Sequence, residues 1–289
     1  MHKRDFLKSL SLAGISLPFS GLAMEQWVSK YEDMSAHKLA TEEDFWSVIR
    51  SGYILKPDYI NLENGYYNFL PQNILEAYIQ NIREVNKQGA FYMRTVQGEN
   101  KKKSVEQLAA LAGCSAEELI ITRNTTESLD TIIGGFPWQP GDEAVMAYQD
   151  YGAMLDMFRL VAIRHGVVNK MVSVPNNPQS DEEIVQVYAN AITPKTKLLM
   201  VCHVINITGQ VMPVQKICDM AHSKGVQVLV DGAHAFAQLN FKIPDLHCDY
   251  YGASLHKWLS VPLGAGILYV KKDLIHQNWP LLGPSEGEE

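Results

Sequence analysis

Lys257 stands between a histidine and a tryptophan in Tyr250-Tyr251-Gly252-Ala253-Ser254-Leu255-His256-Lys257-Trp258-Leu259, followed by Gly264-Ala265-Gly266-Ile267-Leu268-Tyr269-Val270. Small residues precede the lysine, and a glycine-rich turn leads from it into an apolar run. Apolar and cationic neighbours favour a neutral amine, and a neutral lysine amine attacks carbonyl carbon to form a Schiff base. A surface lysine beside a buried tryptophan has the same spelling, so this stretch alone leaves both readings open.

Upstream, Val228-Leu229-Val230-Asp231-Gly232-Ala233-His234-Ala235 carries an apolar run into an acid, a glycine and a histidine. In a parallel sheet, an acid at the end of a buried strand sits at the carboxyl edge, where ligands bind. A helix cap after a strand would use the same acid. Pyridoxal 5'-phosphate needs both parts, a lysine for its aldehyde and a carboxylate that keeps its ring nitrogen protonated. Lys257 and Asp231 together point to that cofactor.

A phosphate group needs a cradle. Glu118-Leu119-Ile120-Ile121-Thr122 reads as a strand, and Asn124-Thr125-Thr126-Glu127 as the start of the next helix, with Asn124 and Glu127 spaced as a capping pair. Exposed backbone N–H groups, the helix dipole and two threonine hydroxyls make such a turn a phosphate site, and equally an ordinary capped helix. Tyr59 to Asn68 reads as a short strand ending in an Asn-Gly turn, with aromatics that line a pocket or pack a core. Ala90-Phe91-Tyr92-Met93-Arg94 reads as a loop.

The elements that must position these residues alternate. Helices are expected over Pro71–Lys87, Lys101–Ala112 and Ala153–His165, and from the Ser180–Glu183 capping box to about Ile192. Another runs from near Pro213 to Gly225. Strands are expected over Glu143–Ala147, Val167–Val174, Lys197–His203 and Val226–Val230. That alternation predicts an α/β fold, three-layered, with a mostly parallel sheet covered by helices on both faces. No repeat or low-complexity tract interrupts it.

The order of motifs is a Thr-Thr helix start, the Tyr148-Gln149-Asp150-Tyr151-Gly152 loop, an Asn206-x-x-Gly209 exit, Asp231-Gly-Ala-His234, then Ser254-x-His256-Lys257. This order resembles the class V aminotransferase family of pyridoxal-phosphate enzymes, fold type I. Within it the chain is most similar to the isopenicillin-N-epimerase-like branch, near cysteine desulfurases and kynureninases. The resemblance covers roughly residues 60–275. It implies that Lys257 holds the cofactor as an internal aldimine and acts as acid and base at Cα, and that Asp231 pairs with the ring nitrogen. It further implies that Thr125, Thr126, Ser254 and His256 hold the phosphate, that Tyr151 stacks on the ring, and that Asn206 and His234 contact the ring-hydroxyl side. A turn cap for Asn206 and a structural histidine for His234 are the plainer alternatives.

The reaction implied is transamination or epimerisation/racemisation of an amino acid in a homodimer. The alternatives are an inactive cofactor-binding protein and a cysteine desulfurase or kynureninase-like lyase. Residues 25–60, polar and mixed, read as an N-terminal arm or first helices, and the resemblance makes 61–275 the cofactor-binding large domain. Residues 276–289 would begin a C-terminal small domain, most of which the chain lacks, together with the arginine that binds substrate carboxylate. Arg94 and Arg123 are weak substitutes.

The 289 residues suffice for a large core, and 46% hydrophobic with 20% charged residues is ordinary composition. A net charge of -7 and no basic cluster beyond Lys101-Lys102-Lys103 argue against nucleic-acid binding. Cys114, Cys202, Cys218 and Cys248 lack C-x-x-C spacing, which argues against zinc, and a G-x-G-x-x-G nicotinamide fingerprint is absent. Lys3-Arg4 ahead of the mildly apolar Leu10–Ala23 resembles a twin-arginine signal over residues 1–24, implying a periplasmic protein; an amphipathic helix of a cytoplasmic protein is the alternative. That run is too short for stable membrane insertion.

Overall fold

Strands β1 (Leu119–Thr122), β2 (Glu143–Ala147), β3 (Val168–Val172), β4 (Thr196–Cys202), β5 (Gln227–Asp231), β6 (Tyr250–Ser254) and β7 (Gly266–Val270) form one sheet in the order β1-β7-β6-β5-β4-β2-β3. They belong to a computed structural model that describes Trp27, residues 29–281 and Gly283. The signal-like segment, residues 1–24, lies outside the described residues. Among those described, no helix is long and apolar enough to cross a membrane.

The sheet is mostly parallel. β6, β5, β4, β2 and β3 run in parallel, whereas β7 is antiparallel to both β6 and β1. Every residue of β2, β6 and β7 is buried, so alternate side chains must meet apolar cover on two faces rather than one. On one face Ala144, Met146, Leu198, Met200, Leu229, Tyr250 and Leu268 meet Leu129, Ile132 and Ile133 of α6 (Thr125–Gly135) and Met154, Phe158 and Val161 of α7 (Gly152–His165). The other helix pair, α8 (Asp181–Ala191) and α9 (Val214–His222), packs together and against β3 and β5.

The chain divides into two compact units. The sheet and α6–α9 belong to Glu99–Leu259 with Leu263 onward; the N-terminal unit ends at Gly98 and includes Ser260–Pro262. The N-terminal unit holds α1 (Ala36–Ala40), α2 (Glu43–Ser51), α3 (Gln72–Gln88) and α4 (Ala90–Thr95). Trp27, Tyr31, Leu39 and Phe45 form its small core, with Trp27 stacked on Phe45 at 5.0 Å.

Several local expectations need correction. Residues 90–95 are helix, not loop, entered through Gly89 at φ 56. Residues 59–62 form no strand: Ile60 and Leu62 are exposed and no sheet edge pairs with them. α5 (Gln97–Ala112) begins four residues before Lys101, so the lysine triplet lies inside the helix. The Ser180–Glu183 box is half formed: Ser180 Oγ accepts the Glu183 N–H at 3.4 Å, but Glu183 accepts from the Gln179 amide instead.

Candidate active site

The ends of β5 and β6 fix the two residues that matter most. Asp231 closes β5 and lies opposite Cys202 of β4 and Gly252 of β6. Lys257 follows β6 in the connection to β7, whose neck is closed by the Ser254–Gly266 pairing and by Leu255 N–H donating to Ala265 O at 3.0 Å. The turn after β5 is held against β6 by Gly232 N–H donating to Gly252 O at 2.8 Å. It brings His234 Nε2 to 3.1 Å from Lys257 Nζ.

Gly232 is there for space. A Cβ at this position would lie 2.0 Å from Cζ of the buried Tyr251 ring. Only a residue without a side chain lets the turn that carries Asp231 and His234 settle on that ring.

Asp231 is buried, with Oδ1 accepting the Ala233 N–H at 3.0 Å. Burial raises its carboxyl pKa, opposed by that hydrogen bond and by the Lys257 charge. The pKa of His256 is lowered, first by burial and then by the same lysine charge, so its ring favours the neutral form.

The helix start is tied to the lysine strand. Thr125 N–H donates to Ser254 Oγ at 2.8 Å, and the Thr125 hydroxyl meets the same oxygen at 2.8 Å, both in buried surroundings. Asn124 Oδ1 accepts the Glu127 N–H at 2.8 Å, which is the expected cap. Thr126 is half-buried on the same first turn. Tyr151 and Asn206 follow β2 and β4 on the sheet edge that carries Asp231, exposed to solvent rather than buried with it. Arg123 pairs with Glu127 instead of reaching inward.

Three neighbours lie outside the set that the sequence motifs single out. Asp150 is buried at the exit of β2 and Cys202 at the end of β4; His203 follows, its Nδ1 buried and its ring 4.6 Å from Phe241. Asp150 carries a usable signal, since it follows an apolar strand much as Asp231 ends one. Cys202 and His203 carry none beyond their place at a strand end.

The donor set fits pyridoxal 5'-phosphate. It offers an amine for the aldehyde, a buried acid whose anion a protonated ring nitrogen would stabilise, and a helix start with hydroxyls for the phosphate. Residues 69–287 match the family model for aminotransferase class-V. Isopenicillin N epimerase of Streptomyces clavuligerus is 29% identical over 227 residues, which are 78% of this chain and 56% of the relative. A cysteine desulfurase of Haloferax volcanii is 28% identical over 233 residues, 77% of this chain and 53% of the relative. Among solved structures, a mutant of C-DES with glycine covalently linked to its PLP cofactor superposes with TM-score 0.72 at 25% identity, over 79% of this chain and 61% of that one. The chain thus spans about half the length of the curated relatives it matches. With the parallel sheet, the lysine loop and the match over most of its length, the chain belongs to the aminotransferase class-V family, a pyridoxal-phosphate-dependent family of fold type I.

Proposed function

We propose that this chain forms the cofactor-binding part of an enzyme that acts at Cα of an amino acid, by transamination or epimerisation, with Lys257 as the anchor. The observation that best supports this is the 3.1 Å approach of His234 Nε2 to Lys257 Nζ, on a turn fixed beside the buried Asp231. When bound, pyridoxal 5'-phosphate supplies an electron sink for the charge left at Cα. The chain's residues do the rest. Asp231 would hold the proton on the ring nitrogen, and Thr125, Thr126, Ser254 and His256 would bind the phosphate. Tyr151 would hold the ring, and Asn206 and His234 would serve its hydroxyl side. The Lys257 amine moves the Cα proton, with His234 within reach to exchange charge with it.

The desulfurase reading draws on the Haloferax relative and needs a reactive thiolate. The cysteines of this chain are poor candidates: Cys202, Cys218 and Cys248 are buried with thiol pKa values pushed up, and Cys114 is pushed up to about 11 by burial. Epimerisation draws on the Streptomyces clavuligerus relative, and transamination on the family model. We also infer a homodimer, by family resemblance, and an exported location if residues 1–24 act as a leader.

The test is an absorption spectrum of protein loaded with pyridoxal phosphate, before and after borohydride and for Lys257→Ala. The expected visible band is fixed by borohydride and lost in the variant. A folded protein without that band would sink the reading. A band that no amino acid perturbs would identify a cofactor-binding protein without turnover.

A further inference from the structure

Asp150 is a second buried acid on the edge of the sheet that carries Asp231. Its Oδ2 accepts the N–H of Ala147, the last residue of β2, at 2.7 Å, and its own N–H donates to the Ala147 carbonyl at 3.1 Å. The next residue, Tyr151, opens α7, its carbonyl accepting the Met154 N–H at 2.9 Å. Cys202, also buried, lies directly opposite Asp231 in the β4–β5 ladder. The Asp150 carboxyl group therefore closes the turn from which Tyr151 is presented, on the sheet edge that carries Asp231.

The titratable groups acting on Asp150 are Asp231, the Cys202 thiol and the buried Tyr188 phenol of α8. Burial pushes the Asp150 carboxyl up to about 7, and the charge of Asp231 adds to the effect. The Cys202 thiol and the Tyr188 phenol are raised well above their ordinary values and stay neutral.

We propose that Asp150 is a positioning residue for the cofactor site: its buried carboxyl group locks the turn that presents Tyr151. This rests on the reading that Tyr151 meets the cofactor ring. Asp150 itself touches neither substrate nor cofactor in this scheme. Its carboxyl group keeps the turn closed.

The experiment compares wild type, Asp150→Asn and Asp150→Ala. Without cofactor, thermal midpoints are measured from pH 4 to 8. A raised folded pKa gives stability that is complete below the unfolded value near 4 and lost as pH rises through about 7. The wild type therefore carries a fall across that window that Asp150→Asn removes; His203 titrates in both proteins and cancels from the difference. With cofactor, Asp150→Asn keeps the Ala147 hydrogen bond and binds within about threefold of wild type, whereas Asp150→Ala binds about tenfold or more weakly. The visible circular dichroism of the loaded protein changes with the alanine and is restored by the asparagine. An unchanged pH slope in Asp150→Asn, or wild-type binding by Asp150→Ala, overturns the proposal. Should the alanine variant not fold, Asp150→Leu, similar in size and unable to accept the Ala147 N–H, is read in its place. Loss of cofactor binding by the wild type would defeat the broader reading, while the stability difference between the asparagine and alanine variants without cofactor would still test the turn by itself.

Discussion

Lys257 Nζ and His234 Nε2 lie 3.1 Å apart, a distance at which one nitrogen donates and the other accepts. Which nitrogen donates depends on where the proton sits, and the histidine ring offers its acceptor lone pair only when that nitrogen is unprotonated. Glutamine can replace the acceptor and alanine cannot. His234→Gln should hold the pH titration of the Lys257-dependent visible band near that of wild type, and His234→Ala should displace it by about one pH unit. Equal titrations in all three proteins would remove His234 from the lysine's chemistry.

Asp231→Asn separates binding from stability. The buried carboxyl has a raised pKa, so without cofactor its stabilising contribution is lost as pH rises through the folded value. The amide has no charge to bury. The variant should therefore melt higher than wild type at pH 8 without cofactor, yet bind pyridoxal phosphate at least about tenfold more weakly. Melting curves and a cofactor titration on the same samples decide both halves.

Gly232→Ala should act through crowding. The new methyl group would fall 2.0 Å from Tyr251 Cζ, in a ring that is fully buried and cannot swing away. An overpacking cost of about 1–3 kcal/mol is expected, together with weakened cofactor binding as the Asp231–His234 turn is lifted. Tyr251→Phe in the same background removes the hydroxyl, which the methyl group would also meet at 2.1 Å, and should recover part of both losses, read by chemical denaturation.

Ser254→Ala removes the oxygen that receives the Thr125 N–H and meets the Thr125 hydroxyl. Two buried groups then lose a partner, at a cost of about 1–3 kcal/mol in the cofactor-free protein. Bound phosphate would offer new acceptors to the same donors, so the cost should shrink on loading. Denaturation midpoints with and without cofactor measure the difference.

His203 should control the acid limb of stability. Burial lowers its pKa to about 4 from an ordinary value near 6.5, so its contribution is complete above pH 6.5 and is lost as pH falls through about 4. The full effect is about 3 kcal/mol, opposite in sign to that of Asp150 over an overlapping range. The test is cleanest in the Asp150→Asn background, where the opposing titration is gone: there His203→Asn should flatten the fall in stability between pH 6.5 and 4. Persistence of that fall in the double variant would place its origin elsewhere.

The parallel part of the sheet is legible in the sequence because βα alternation leaves regular marks: apolar runs for doubly covered strands, capping residues at helix starts, glycine after helix ends. Asp231 and Lys257 are legible for the same reason, as they end or follow such strands. What sequence alone does not supply is the choice of partner. Tyr59–Asn61 has the composition of a strand but no edge to pair with, and β7 turns back antiparallel although its apolar run looks like any other. Helix α4 is hidden by Gly89, which has the look of a loop opening but whose positive φ joins two helices. Asp150 is masked by the more conspicuous Tyr151 beside it, and its burial comes from strands brought together from distant parts of the sequence.

The antiparallel return of β7 has a consequence for the order of assembly. The β6–β7 hairpin joins segments close in sequence, so the loop around Lys257 can organise from local contacts. The Thr125–Ser254 hydrogen bonds span 129 residues and form only when β1 and α6 have reached the far side of that hairpin. Loop closure over such a distance is slow and uphill until the sheet rewards it. On these grounds the hairpin is expected to form before the phosphate cradle, and capture of the cofactor during refolding should trail the appearance of the hairpin, marking the moment at which the whole sheet is complete.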